Sequence, residues 1–294
     1  MASQPNLRGI GAMLVSAGAF VANDSCMKLA LADYPPLEVL LLRGLAACLW
    51  CVPLVLIMGH GRNLGLLVNP WILGRSLCEV FAILCFINGL RHLPIADLTA
   101  IVQITPLIVL SAAALIWGDH IGPLRWLLIG LGIAGALLVA QPGAASASPY
   151  AMLGFATALG AAARDIFTRK VPVAAPALIV ALSTIVTVVV ASAVGTLVLE
   201  DWVMPGGATA ALMLAAGFFL MCGHLFVFLA FRLAEPRAVA PFAYSFIVWS
   251  VLSGVLIFGE IPNGLAIAGM ALIVATGLGV VLNERRQRPG LTKS

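Results

Sequence analysis

Ten apolar runs, each about 20 residues long and closed by proline, glycine or charge, constrain this chain more than any other feature. A run of that length crosses the hydrocarbon core of a bilayer as a helix. The first extends from about Leu7 to Ala32 and stops at Asp33-Tyr34-Pro35-Pro36. The second reaches Gly59, before the loop His60-Gly61-Arg62-Asn63, and the third runs from near Trp71 to Arg91-His92-Leu93-Pro94. The fourth ends at Gly118-Asp119-His120, and the fifth covers Pro123 to Ala140. A charge-free linker from Gln141 to Ser148 follows. The other five cover Pro149 to Lys170, Pro176 to Leu199, about Pro205 to Arg232, Pro236 to Phe258 and Pro262 to Asn283. Proline suits a helix start because the first-turn amides lack partners anyway.

Composition agrees. Of 294 residues 10% are charged, against roughly 25% in soluble proteins, and mean hydropathy is +1.10. Ten crossings leave no room for an extramembrane domain. The first run is long enough to span and lacks a small-residue cleavage site, so no cleavable leader is expected. All six cysteines lie in apolar runs, where they act as small hydrophobes. Cys48 and Cys51 form a C-x-x-C with no second Cys or His pair nearby, so no metal site and no cofactor are expected. The net charge of +4 reflects a basic tail (Arg285, Arg286, Arg288, Lys293) and points to no nucleic-acid partner.

Basic residues set the orientation. With the N-terminus inside, Arg8, Arg62, Arg75, Arg125, Arg169, Lys170, Arg232 and Arg237 join the tail on the cytoplasmic side. The opposite side carries Asp33, Glu200, Asp201 and Glu260, with Arg91 the loop-end basic residue that falls outside. Both termini are therefore expected in the cytoplasm. Trp71, Trp117, Trp126, Trp202, Tyr34 and Tyr150 fall near helix ends, as interfacial anchors do. Trp50, Tyr244 and Trp249 do not.

A shift of 141 residues brings landmarks into register. Asp24 meets Asp165, Lys28 meets Arg169, Pro35 meets Pro176, Arg91 meets Arg232, Gly118 meets Gly259 and Asp119 meets Glu260. Residues 1–143 and 144–294 thus read as two five-helix halves. An odd helix number makes the second half enter from the opposite side, an inverted repeat, which places a transported ligand near the midplane.

The stretch Gly89-Leu90-Arg91-His92-Leu93-Pro94-Ile95-Ala96-Asp97, with Pro106 and Gly118-Asp119, resembles the first half of an EamA-type transporter. Phe231-Arg232-Leu233-Ala234, Leu256-Ile257-Phe258-Gly259-Glu260 and Gly269 resemble the second half. The whole chain is similar to the ten-helix carriers of the drug/metabolite transporter superfamily, and among them it resembles bacterial exporters of aromatic and other neutral amino acids. That resemblance implies a multi-pass protein of the bacterial inner membrane. It also implies a basket of helices around a central cavity, lined mainly by the third, fourth, eighth and ninth. Some relatives import S-adenosylmethionine, riboflavin or other metabolites, so direction stays open.

Charge inside a bilayer is costly, so each such residue requires a partner or a water-filled cavity. Asp24 and Lys28 are four apart on one helix face, as are Asp165 and Arg169, the favourable order for an intrahelical pair. Either these are self-neutralised ions, or, through the inversion, they brace opposite gates. Arg43 is a second candidate partner for Asp24. Counted from Pro35 the two lie about 12 and 16 Å deep at roughly 1.5 Å per residue. Arg164 beside Asp165 offers a comparable pairing. Glu79 sits inside the third helix; Arg75, one turn away, is its obvious partner, and the alternative is substrate-ammonium binding or proton transfer in the cavity.

Gln103 and Thr105 flank a mid-helix Pro106, which disturbs the Val102 carbonyl one turn earlier. A packing kink and a transport site are both compatible with that. Pro241, Tyr244 and Ser245 repeat the theme in the ninth helix, with Trp249 one turn beyond. Tyr244 and Trp249 point about 140° apart on an ideal helix of 3.6 residues per turn, so an aromatic box needs Pro241 to distort it; core packing is the plainer reading. His224 in the eighth helix suits either a substrate carboxylate or packing. Gly130-Leu131-Gly132-Ile133-Ala134-Gly135 matches a dinucleotide fingerprint but lies in a spanning run without a preceding strand. Small residues for close helix contact explain it better, and with Gly277 and Gly279 it suits dimer contacts. Neither H-E-x-x-H nor G-x-S-x-G occurs, which argues against an intramembrane enzyme. The expectation is an all-α integral membrane secondary carrier that exports small metabolites, foremost neutral or aromatic amino acids, by alternating access, with import of a cofactor-like metabolite as the alternative; its partners are that small-molecule substrate and the lipid bilayer.

Overall fold

A computed structural model of the chain describes residues 4–117, 122–141 and 148–287, and the regular structure among them is helical. The expected stop at Gly118-Asp119-His120, the interior of the linker and the tail from Arg288 onward lie outside those residues. The elements are α1 (Gln4–Ala30), α2 (Pro36–Ile57), a 3-10 turn (His60–Val68), α3 (Pro70–His92), α4 (Ile95–Val102), α5 (Thr105–Trp117) and α6 (Pro123–Ala140). They continue with α7 (Ala151–Thr168), α8 (Ala177–Leu199), α9 (Gly207–Leu233), α10 (Pro236–Val239), a second 3-10 turn (Ala240–Tyr244), α11 (Ser245–Phe258) and α12 (Gly264–Gln287). Nine helical stretches among the described residues are long and apolar enough to cross a membrane. The expected sixth span, α7, is not among those nine. It is as long as α6, which qualifies at 18 residues, but Arg164 and Asp165 lower its hydropathy.

Local chemistry explains the boundaries. Pro36 and Pro70 open α2 and α3 at first-turn positions. Asn69 Oδ1 caps α3 by accepting from the Trp71 amide at 3.0 Å. The first-turn amides of α2 are capped from afar, where Leu37 and Glu38 N–H groups donate to the Glu200 carboxylate at 3.0 and 3.1 Å. Gly59 follows α2 and Gly259 follows α11, both left-handed at φ 76° and 67°, a conformation that glycine adopts without a Cβ penalty.

The fourth apolar run breaks where Pro106 requires it. Gln103 and Ile104 form a turn between α4 and α5. Proline offers no N–H to the Val102 carbonyl, and the Thr105 hydroxyl donates to it instead at 2.6 Å. The ninth run breaks similarly, into α10, the 3-10 turn around Pro241, and α11.

Long packing contacts join the two halves: α1 lies along α9, α3 along α7, α6 along α12, and α2 along α8. The α6–α12 crossing uses the small residues noted in the sequence. A Cβ on Gly135 would meet the Gly269 carbonyl at 2.9 Å, and one on Gly269 would meet the Gly135 carbonyl at 2.5 Å. Gly277 admits the Tyr244 ring, and Gly279 lies against Leu128. Gly135, Gly269, Gly277 and Gly279 thus pack inside the chain, whereas Gly130 faces outward with open space beside it.

Candidate functional site

A polar centre is assembled from α1, α2, α3, α7 and α9. Arg164 on α7 donates to Glu79 Oε2 on α3 at 2.9 Å and, through Nε, to Asp165 Oδ1 at 2.8 Å. The Glu79 and Arg164 side chains are 25% and 26% exposed, so the ion pair is not sealed between these otherwise apolar helices. Arg75 is not the partner of Glu79. Its guanidinium donates to Thr168 Oγ1 at 3.0 Å and Thr184 Oγ1 at 2.8 Å, because the hydroxyls of α7 and α8 face it while Arg164 reaches Glu79 from across the interface.

The intrahelical pair expected between Asp24 and Lys28 is replaced by contacts between helices. Asp24 Oδ1 accepts from Asn23 Nδ2 at 2.9 Å, and Arg43 on α2 stands within electrostatic reach. The Lys28 ammonium donates to Glu260 Oε1 at 2.5 Å and to the Leu93 carbonyl at 2.6 Å, 5.2 Å above the Phe258 ring. Glu260 Oε2 in turn accepts from the Ile95 amide at 3.0 Å. One cation thereby ties the end of α1 to the α3–α4 joint and to the α11–α12 connection. In the second half Asp165 Oδ1 accepts from Arg164 Nε, and Arg169 stands just beyond α7.

Arg43 is 5% exposed, its Nε has no hydrogen-bond partner, and its guanidinium takes part in no ion pair among the described residues. Both Asp24 and Glu79 act on it electrostatically. His224 on α9 meets the Phe20 ring edge to face at 5.2 Å, and Phe20 stacks on Phe246 at 5.7 Å. The field of Glu79 and Arg43 reaches His224 as well.

The two broken helices touch each other. Gln103 Nε2 donates to the Ala243 carbonyl at 3.2 Å, linking the α4–α5 turn to the 3-10 turn before α11. Ser245 Oγ is buried there without a partner. No box of Tyr244 and Trp249 forms. Tyr244 is buried in the core with Met270 and Ile273, against Gly277, whereas Trp249 lies over Gly18 and donates from Nε1 to the Leu14 carbonyl at 3.1 Å. The divergence follows from their angular separation, which the 3-10 turn does not remove.

Sequence reasoning missed Phe20, Phe246, Asn23 and the Ser25–Ser253 hydrogen bond of 2.6 Å between α1 and α11. Phe is common here, with 13 copies, and nothing in its spacing marks these two. A polar residue beside Asp24 was a legible signal for Asn23.

The chain matches the EamA-like transporter family over residues 7–141. It is 30% identical over 224 residues to a riboflavin transporter of Rhizobium johnstonii, covering 74% of this chain and 72% of that protein. An S-adenosylmethionine uptake transporter of Rickettsia felis is 26% identical over 285 residues, 95% of this chain and 94% of that one. A pseudopaline exporter of Pseudomonas aeruginosa is 27% identical over 274 residues, covering 90% and 93%. A solved crystal structure superposes with a TM-score of 0.64 at 20% identity, over 98% of this chain and 100% of its own, a likeness of fold. With membrane-length helices, charged side chains gathered between them and transporters as relatives along most of its length, the chain belongs to the EamA-like transporter family of the drug/metabolite transporter superfamily.

Proposed function

We propose that this protein is a secondary carrier that moves a cofactor-like metabolite across a bacterial inner membrane by alternating access between two inverted five-helix halves, 1–143 and 144–294. The observation that carries this is the polar centre, Asp24, Arg43, Glu79, Arg164 and Asp165 with His224, placed between apolar helices and partly open to water. In this reading α7 is the sixth of ten crossings, both termini are cytoplasmic, and the Lys28–Glu260 tie closes the outer end. The reciprocal packing of α1 on α9 and α3 on α7 supports the repeat, since the 141-residue shift exchanges those pairs. Gln103, Thr105 and Ser245 at the helix breaks supply further cavity polarity. Relatives named for riboflavin and S-adenosylmethionine support a cofactor-like cargo.

Outward movement of neutral or aromatic amino acids is the second reading. A relative named as an exporter supports its direction, and the formal charge balance of the centre supports a zwitterion. Purified protein in liposomes, given labelled riboflavin, S-adenosylmethionine and a panel of neutral amino acids, tests both readings. Counterflow of at least one of the first two with none of the amino acids is the expected result. Counterflow of amino acids alone replaces the first reading with the second, and no flux of any of them removes both.

A further inference from the structure

Arg43 is the group at this centre whose hydrogen-bonding capacity is unspent. A guanidinium carries five N–H donors in a fixed fork. Glu79 is already engaged by Arg164, and Asp24 accepts from Asn23 through Oδ1, leaving Oδ2 for a ligand. Arg43 Nε is orphaned although the residue is 95% buried, and a buried cation without hydrogen-bonded partners is strongly unfavourable. Packing fixes it there. Gly44 lies against Val189 of α8, and Ala46 and Ala47 lie against Gly217 of α9, so α2 cannot turn to release the side chain.

Three further observations define what would complete it. First, two parallel N–H groups match the two oxygens of a carboxylate better than any other small acceptor except phosphate. Second, the basic side chains at the centre, Arg43, Arg75 and Arg164, are balanced by Asp24, Glu79 and Asp165, so a head group of no net charge fits there and a phosphate dianion does not. Third, Phe20 lies one turn before Asp24 on α1, about 6 Å along the axis, and stacks with Phe246 beside His224. An anion receptor, an acid with a spare oxygen and an aromatic surface therefore follow one another.

We propose that Arg43 and Asp24 receive the α-amino-carboxylate head of the transported metabolite, Arg43 holding the carboxylate and Asp24 the ammonium, with the rest of the molecule against Phe20 and Phe246. This rests on the carrier reading and narrows its substrate class to molecules with a zwitterionic amino-acid end.

Isothermal titration of the full-length protein in detergent tests it with two matched pairs: S-adenosylmethionine against its decarboxylated form, and L-phenylalanine against phenethylamine. Wild type is expected to bind at least one acid about tenfold or more tightly than its amine, the discrimination of one charge-assisted hydrogen-bonded pair. In Arg43→Gln that ratio falls to within about threefold while the amine binds as before. Arg43→Lys, which keeps the charge and loses the fork, falls between them and serves alone if the glutamine variant does not fold. An unchanged ratio in both variants overturns the assignment. Equal weakening of acid and amine also overturns it, because Arg43 then only holds the helices. Wild type that binds neither pair yet carries riboflavin in liposomes overturns this inference and leaves the carrier reading standing.

Discussion

Arg164 on α7 serves two acids at once, donating to Glu79 on α3 at 2.9 Å and to its own neighbour Asp165 at 2.8 Å. A bridge of this kind fastens α3 to α7 at a point that is not fully sealed. Glu79→Gln removes the charge of the inter-helix partner and leaves Arg164 to Asp165. Because the pair is about a quarter exposed, the expected loss of stability is about 1–2 kcal/mol, below the roughly 3–5 kcal/mol of a sealed pair. Thermal unfolding in detergent reads the stability, and counterflow reads transport, which is expected to fall at least about tenfold. Wild-type flux and wild-type pH dependence in this variant would remove Glu79 from the site.

The Lys28–Glu260 tie joins three segments at one end of the bundle, so its removal is expected to loosen that end as a unit. Cys26, partly buried one half-turn before Lys28, is a built-in reporter. In a background retaining that cysteine alone, Lys28→Met and Glu260→Gln should each raise its labelling rate by a water-soluble thiol reagent several-fold. An unchanged rate in both means the tie is ornamental to closure.

Gln103 connects the two helix breaks through the Ala243 carbonyl. Gln103→Leu should cost about 0.5–1.5 kcal/mol, the ordinary net value of one hydrogen bond. Pro106→Ala restores an N–H to the ladder near Val102 and should straighten the joint between α4 and α5. Hydrogen exchange is expected to slow at residues 103–107 in that variant, accompanied by a lower turnover rate. Unaltered exchange there would show that Pro106 does not maintain the break.

At the α6–α12 crossing the two faces of one glycine stripe separate packing from association. Gly135→Val and Gly269→Val place side chains against backbone at under 3.0 Å and should abolish a monodisperse peak in size-exclusion chromatography. Gly130→Val meets nothing within 4 Å and should elute as wild type. A Gly130 variant that shifts to a smaller species would instead identify an outward dimer contact.

Much of this molecule is legible residue by residue. Apolar length, proline at helix starts and glycine at helix ends place the spanning segments to within a few residues, because helix formation in a bilayer is a local response to hydropathy and backbone chemistry. The break at Pro106 is local too: a missing N–H acts on its own carbonyl one turn back. The shortlist of charges at the centre came from the same source, since a charge inside an apolar run stands out whatever surrounds it.

Only the tertiary structure decided which of those charges meet. Spacing along α1 favoured Lys28 with Asp24, yet the ammonium extends to Glu260, 232 positions away, and spacing along α3 favoured Arg75 with Glu79, yet Arg164 takes that carboxylate. Long basic side chains reach across a helix interface as easily as along a turn, so the partner is chosen by which helices lie side by side. The same applies to Tyr244, directed into the core by a glycine on α12, and to Arg43, left without a partner once Arg164 had taken Glu79. Sequence determined the helices and their rare charges; packing determined the pairs, and left the Arg43 guanidinium buried at the centre with an unpartnered Nε.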